Sequence, residues 1–235
     1  MWKLIRLEWK KNNIFKYVIK AVVIAVLLCL FVYALAYLGI ANDAETGVPD
    51  AVEGKNMISA PIELFSSMTY LIFTSVMLSS FIVSAYKNKT MNLMFSYPIK
   101  RQKIIVSQML AVWIFSYIAL VLTKLLMYGC ILLGSNFMIS AFPIDYSMAN
   151  VGFYVQLLIK AFVIVTMSFI ALFIGLAMKS SKATIVSSFL LVFFTQANVG
   201  DFTMSDQVLF PVFLTVVSLI FAFLSVFKVE SKDLM

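Results

Sequence analysis

The stretch Val18–Ile40, VIKAVVIAVLLCLFVYALAYLGI, decides the fold of this chain. It contains a single charged residue, Lys20, and is otherwise almost wholly apolar. A helix of about 20 such residues crosses the hydrocarbon core of a bilayer. The 235-residue chain is 63% hydrophobic and 12% charged, with a mean hydropathy of +1.00. Soluble domains have roughly 45–50% apolar and about 25% charged residues, so the composition predicts an all-α integral membrane protein.

Further apolar runs follow, and we interpret the chain as one transmembrane domain, 1–235, with six membrane-spanning helices. The fifth run is short enough to be a re-entrant segment instead. The predicted spans cover about 18–40, 64–85, 104–133, 151–178, 183–197 and 208–227.

The distribution of basic residues supports this count through the positive-inside rule. With both termini in the cytoplasm, 15 of the 18 Lys and Arg residues lie on the inner side. Membrane orientation therefore explains the net charge of +7, and no nucleic acid partner is predicted. The predicted outer segments carry acidic residues: Asp43, Glu45, Asp50, Glu53, Asp145, Asp201 and Asp206.

Residues 1–17 predict a helix that lies in the inner membrane interface. Such a helix places Trp rings at headgroup depth and its lysines on anionic membrane lipid. A basic flank that only sets topology is the open alternative. The basic stripe of this helix consists of Lys3, Arg6 and Lys10. Its apolar stripe consists of Trp2, Ile5 and Trp9.

Two lysines, Lys124 and Lys160, fall inside predicted spans. A lysine at mid-bilayer costs roughly 2.5–3.5 kcal/mol on insertion scales, so it should face protein or water. We identify Lys124, Lys160 and Glu63 as pathway candidates that line an outward vestibule, with Glu63 as the acidic partner. Snorkelling of both lysines to the outer headgroups is the alternative.

The segment 86–108, YKNKTMNLMFSYPIKRQKIIVSQ, is a basic connection between the second and third predicted spans. Thr90 can cap a short helix, and Pro98 ends it because the residue before proline avoids helical geometry. A solvated basic loop on anionic lipid fits these residues equally well. The helix would offer three apolar side chains to a cytosolic partner: Met94, Phe95 and Tyr97.

This segment resembles the coupling region of ABC-2-type transporter permeases. The matching positions are Thr90, Leu93, Pro98 and Arg101, while Lys89 stands where that family usually has Gly and no acidic residue precedes it. The resemblance extends to the architecture of the whole chain, which combines an N-terminal helix, six spans, a large outer loop after the first span and a short fifth span.

The resemblance implies a short cytoplasmic coupling helix that docks on a separate ATP-hydrolysing subunit. It implies two copies of that ATPase, which carry ATP and Mg, and a second permease copy or a paralogue, in a bacterial plasma membrane. The chain would then move an amphipathic peptide or lipophilic toxin outwards by alternating access. A non-transporting membrane sensor or assembly subunit is the open alternative. The positions implied in ATPase coupling are Thr90, Leu93, Met94, Phe95, Tyr97, Pro98 and Arg101.

The resemblance also implies an outer gate between the fifth and sixth spans, for which Gln196, Asn198 and Asp201 are candidates; a plain loop is the alternative. No enzyme, cofactor or metal site is predicted within the chain. It has no His, and it lacks the G-x-x-x-x-G-K-[ST] spacing of a phosphate-binding loop. Cys29 and Cys130 lie in apolar runs and are expected to pack as small hydrophobic residues.

Overall fold

A computed structural model describes residues 2–37, 59–84, 101–137, 148–196 and 209–231. This part of the chain forms seven α-helices and no β-strand. One of them, α3, continues as a π-helical turn over Ser79–Val83. The helices are α1 Trp2–Lys11, α2 Ile14–Tyr37, α3 Ser59–Leu78, α4 Arg101–Phe137, α5 Val151–Ala177, α6 Ser181–Gln196 and α7 Leu209–Ser231.

Helices α2 to α5 are each long and apolar enough to cross a membrane. Their apolar stretches are Ile14–Leu35, Ser59–Val83, Gln102–Gly134 and Val151–Ala177. Helices α6 and α7 contain shorter apolar stretches, Ser181–Phe193 and Val212–Val226. The structure thus has the all-helical class and the apolar helices of a membrane protein, while the count of six spans stays a prediction.

The predicted N-terminal helix, 1–17, is too long. Helix α1 ends at Lys11 and α2 begins at Ile14, so residues 14–17 belong to the first apolar helix. Asn13 makes the break with a φ of 47°, a left-handed conformation that Asn tolerates better than most residues.

The chain divides into two compact units, and aromatic rings of neighbouring helices pack together in each. The first contains Met1–Ile14, Met68–Ile118 and Lys160–Met235, and the second contains Phe15–Ser67 and Ala119–Ile159. In the first unit, Trp113 of α4 packs edge-on against Phe162 of α5, with ring centroids 5.4 Å apart. In the second, Phe31 of α2 and Phe65 of α3 pack edge-on at 4.9 Å.

Helices α5 and α6 form a tight hairpin in the first unit. Lys179 has a φ of 50°, and its N–H donates to Leu176 O at 3.4 Å while the Ser180 N–H donates to Gly175 O at 3.1 Å. These two bonds form a Schellman motif, which satisfies carbonyls at the end of a helix. A Cβ at position 175 would overlap Thr184 Oγ1, so glycine is required for the close approach of α6.

Candidate functional site

The second unit holds a buried ion pair between α3 and α4. Lys124 Nζ lies 2.7 Å from Glu63 Oε2, and the Lys124 side chain is 0% exposed. Glu63 sits in the second turn of α3, whereas Lys124 lies well inside α4. The sequence suggested Glu63 as a partner for the lysines in the spans, and the structure contains this contact with Lys124.

Tyr128 completes the polar cluster. It follows Lys124 by four residues, so both side chains leave the same face of α4. Its hydroxyl donates to Glu63 Oε1 at 3.3 Å, and the two carboxylate oxygens therefore accept from different residues. The Tyr128 ring packs edge-on against Phe153 of α5 at 4.9 Å, which positions the hydroxyl towards α3.

Exposure differs between the two charged partners. Glu63 retains 23% of its side-chain exposure, while Lys124 is fully enclosed. Burying a charged lysine without a counter-charge costs several kcal/mol, and the Glu63 carboxylate supplies that counter-charge between the two apolar helices. A molecule that reaches this cluster would meet the carboxylate edge and not the ammonium group. Ionisable residues within membrane helices commonly mark a route for substrate or ions.

The second unit also contains both cysteines, which are free thiols. One helical turn beyond them, the Tyr33 ring of α2 lies over Gly134 of α4, where a Cβ would stand 2.9 Å from the ring. Cys29 lies four positions before Tyr33 and Cys130 four positions before Gly134, and the two thiols interact with each other. Cys29 and Cys130 thus belong to a seam of close packing between α2 and α4. Among the described residues, no group of three or more His, Cys, Asp or Glu could hold a metal ion.

A second polar contact, which our reading of the sequence missed, lies in the first unit. Gln108 of α4 is fully buried and donates from Nε2 to Glu8 Oε1 of α1 at 3.3 Å. The Trp9 indole N–H donates to Ala111 O at 3.0 Å. Glu8 is the only acidic residue before Asp43. A single acidic residue within a basic segment was the feature of the sequence that could have indicated this contact.

Helix α3 continues into the π-helical turn Ser79–Val83, which precedes segment 86–108 in the chain. The Ser84 N–H bonds to Ser79 O, the i→i+5 pattern of a π-turn. The Ser79 hydroxyl donates to Ser181 O of α6 at 3.3 Å, which ties the turn to the start of α6. Single π-turns within α-helices are frequent at functional sites.

The other predicted site residues are only partly within the described chain. Lys160 is half-buried on α5 in the first unit, and its place in a pathway stays a prediction. Arg101 is the first residue of α4, and Gln196 is the last of α6. The remaining coupling and gate positions lie outside the described residues: Thr90, Leu93, Met94, Phe95, Tyr97, Pro98, Asn198 and Asp201.

Comparison with known proteins finds an end-to-end relative without an assigned activity. The chain is similar to the uncharacterized protein YcbO of Bacillus subtilis (strain 168), with 24% identity over 231 residues, which cover 98% of this chain and 99% of that protein. No family model matches the chain. No solved structure matches it either. The whole chain, and not one segment of it, therefore has a counterpart in YcbO.

Proposed function

We propose that this protein is the membrane-spanning permease subunit of an ATP-driven ABC exporter. In this proposal it crosses a bacterial plasma membrane six times, with both termini in the cytoplasm and α1 in the inner interface. The resemblance of segment 86–108 to the coupling region of ABC-2-type permeases is its first support. The apolar helices α2 to α5 are compatible with it, because each has the length of a span.

The observation that carries the proposal is the buried pair of Glu63 and Lys124. A structural role alone would be served as well by apolar side chains, since replacing a buried ion pair with hydrophobic residues is often neutral or stabilising. A charged pair retained between two candidate spans therefore favours a route through the protein. The cargo we propose is an amphipathic peptide or a lipophilic toxin, whose polar part would meet the Glu63 carboxylate.

Helix α4 is the element that would connect ATP hydrolysis to this route. It runs without a break from Arg101, the last of the positions implied in ATPase coupling, past Lys124. At 1.5 Å per residue these two positions are about 35 Å apart along the helix axis. Two ATPase subunits, which bind ATP and Mg, would close and displace the coupling segment, and the continuous helix would carry that displacement to the ion pair.

The proposal is tested by purifying the tagged chain from its native membrane in mild detergent. The parent is expected to retain a stoichiometric partner that contains a phosphate-binding loop, together with ATPase activity. A variant with Met94→Asp, Phe95→Asp and Tyr97→Asp is expected to lose both. A control variant with Phe202→Asp and Met204→Asp adds charge to the predicted outer segment and should keep them.

Recovery of the chain alone from both the parent and the coupling variant would contradict the proposal. That result would favour a non-transporting membrane sensor or assembly subunit. Retention of the ATPase by the coupling variant would leave a transporter but remove segment 86–108 as its coupling element.

A further inference from the structure

Helix α1 carries two chemically different faces. Ile5 and Glu8 are buried on one of them. The opposite face exposes two large apolar side chains, Trp2 at 65% and Leu7 at 61%. At the helical spacing of about 100° per residue, three exposed basic residues lie between those two. They are Lys3, Arg6 and Lys10.

The buried face is attached to the start of α4. Gln108 donates to the Glu8 carboxylate at 3.3 Å, and Trp9 donates to the carbonyl of Ala111 at 3.0 Å. Two such bonds from adjacent positions of α1 fix the rotation of the helix about its own axis. The basic face therefore points away from α4.

The positive charge of this face is not neutralised within the described part of the first unit. Glu8 is the only acidic residue of α1, and its carboxylate is occupied on the buried side by Gln108 and by Asn12 Nδ2 at 3.3 Å. Lys11 lies 3.9 Å from the same carboxylate. The described residues show no ion pair for the three basic residues of the exposed face.

The proposed membrane placement of α1 puts this face close to a membrane surface. Only Asn12 and Asn13 separate α1 from α2, whose apolar stretch starts at Ile14. Basic residues near an anionic leaflet are attracted to its lipids, and a helix with Lys and Arg beside Trp and Leu is typical of the interface. Headgroups that carry a negative charge complement this surface in both charge and position.

We infer that the outward face of α1 binds anionic phospholipid headgroups and that the Glu8–Gln108 contact transmits this binding to the start of α4. The inference rests on the proposed membrane placement of α1 and does not require the chain to be a transporter. Failure of the ATPase experiment would leave it standing.

Lipid selectivity is tested with the full chain in nanodiscs of phosphatidylcholine alone or of equal parts phosphatidylcholine and phosphatidylglycerol. Native mass spectrometry after detergent release counts the retained lipids. We expect the parent to retain phosphatidylglycerol preferentially. Lys3→Gln with Lys10→Gln should lower that preference by about fivefold for each lysine. The control is Lys179→Gln with Lys182→Gln, two exposed lysines at the α5–α6 turn, which should lower the preference by less than the α1 pair does.

Transmission is tested by amide hydrogen exchange in the same nanodiscs. Phosphatidylglycerol should slow exchange in residues 101–111 of the parent. Gln108→Leu should keep the lipid preference but lose the slowing of exchange in residues 101–111. Trp9→Phe, a milder change, should lose part of that slowing. The lipid site would be overturned if the parent showed no lipid preference, or if the Lys179 and Lys182 control lost as much of that preference as the α1 variant. Either result would favour an acidic protein surface as the partner. Protection that persists in Gln108→Leu would overturn transmission through the Glu8–Gln108 contact.

Discussion

Removal of one partner from the buried ion pair should show which charge the fold depends on. Glu63→Gln keeps the size of the side chain and removes its charge, so the fully enclosed Lys124 ammonium loses the Glu63 counter-charge. Breaking a buried pair in this way costs about 3–5 kcal/mol. Lys124→Met leaves a carboxylate that retains 23% exposure and can be hydrated. We therefore expect a smaller cost for Lys124→Met, about 1–3 kcal/mol.

The double variant separates the interaction from the two single effects. Glu63→Gln with Lys124→Met contains no unpaired charge, so it should be more stable than Glu63→Gln alone. Equilibrium unfolding in mixed detergent micelles measures each free energy of unfolding. Lys160→Met is the matched control, since Lys160 is a half-buried lysine on another apolar helix, and it should cost less than about 1 kcal/mol.

The reasoning would be refuted by additive single effects. If the double variant equals the sum of the single variants within about 0.5 kcal/mol, Glu63 and Lys124 do not stabilise each other. Equal costs for the two single variants would contradict the asymmetry that their different exposures predict.

Three further changes test the hairpin and the π-turn in the same unfolding assay. Gly175→Ala should lower the free energy of unfolding by about 1–3 kcal/mol, because its Cβ would overlap Thr184 Oγ1. Adding Thr184→Ala should restore part of this loss, and the absence of any rescue would show that the strain lies elsewhere. Lys179→Gly should raise the free energy of unfolding by up to about 1 kcal/mol, since Gly adopts a positive φ without strain. A loss of stability would contradict the Schellman geometry. Ser79→Ala should cost about 0.5–1.5 kcal/mol through loss of the bond to Ser181 O, and a neutral result would show that this bond does not hold the π-turn.

The candidate site was partly visible in the sequence because charges are rare in its apolar runs. Lys124 and Lys160 stand out for that reason, and Glu63 is the acidic residue nearest to a predicted span. The pattern could not tell which lysine faces Glu63. That choice depends on the relative rotation and depth of α3 and α4, which bring together residues 61 positions apart in the chain.

The contact of α1 with α4, in contrast, was not predicted from the sequence. Its sequence reads as a helix for the membrane interface, with Ile5 and Trp9 on the apolar stripe. The structure buries Ile5 and Glu8 and engages Trp9 in a hydrogen bond to Ala111, because α4 lies against that side of the helix. Gln108, which donates to Glu8 in the structure, lies 100 positions away in the chain, so the sequence pattern of α1 does not reveal this contact.

The sequence by itself determined the all-helical class of this protein, its long apolar helices and their approximate bounds, while the inner location of its basic residues stays a prediction. These properties follow from hydropathy and charge summed over about 20 neighbouring residues, and such sums do not depend on how the helices pack. The tertiary structure alone decided which polar groups meet. The pairing of Glu63 with Lys124 and of Glu8 with Gln108 depends on the rotation of each helix against its neighbours, and that rotation is set by side-chain packing between segments far apart in the chain.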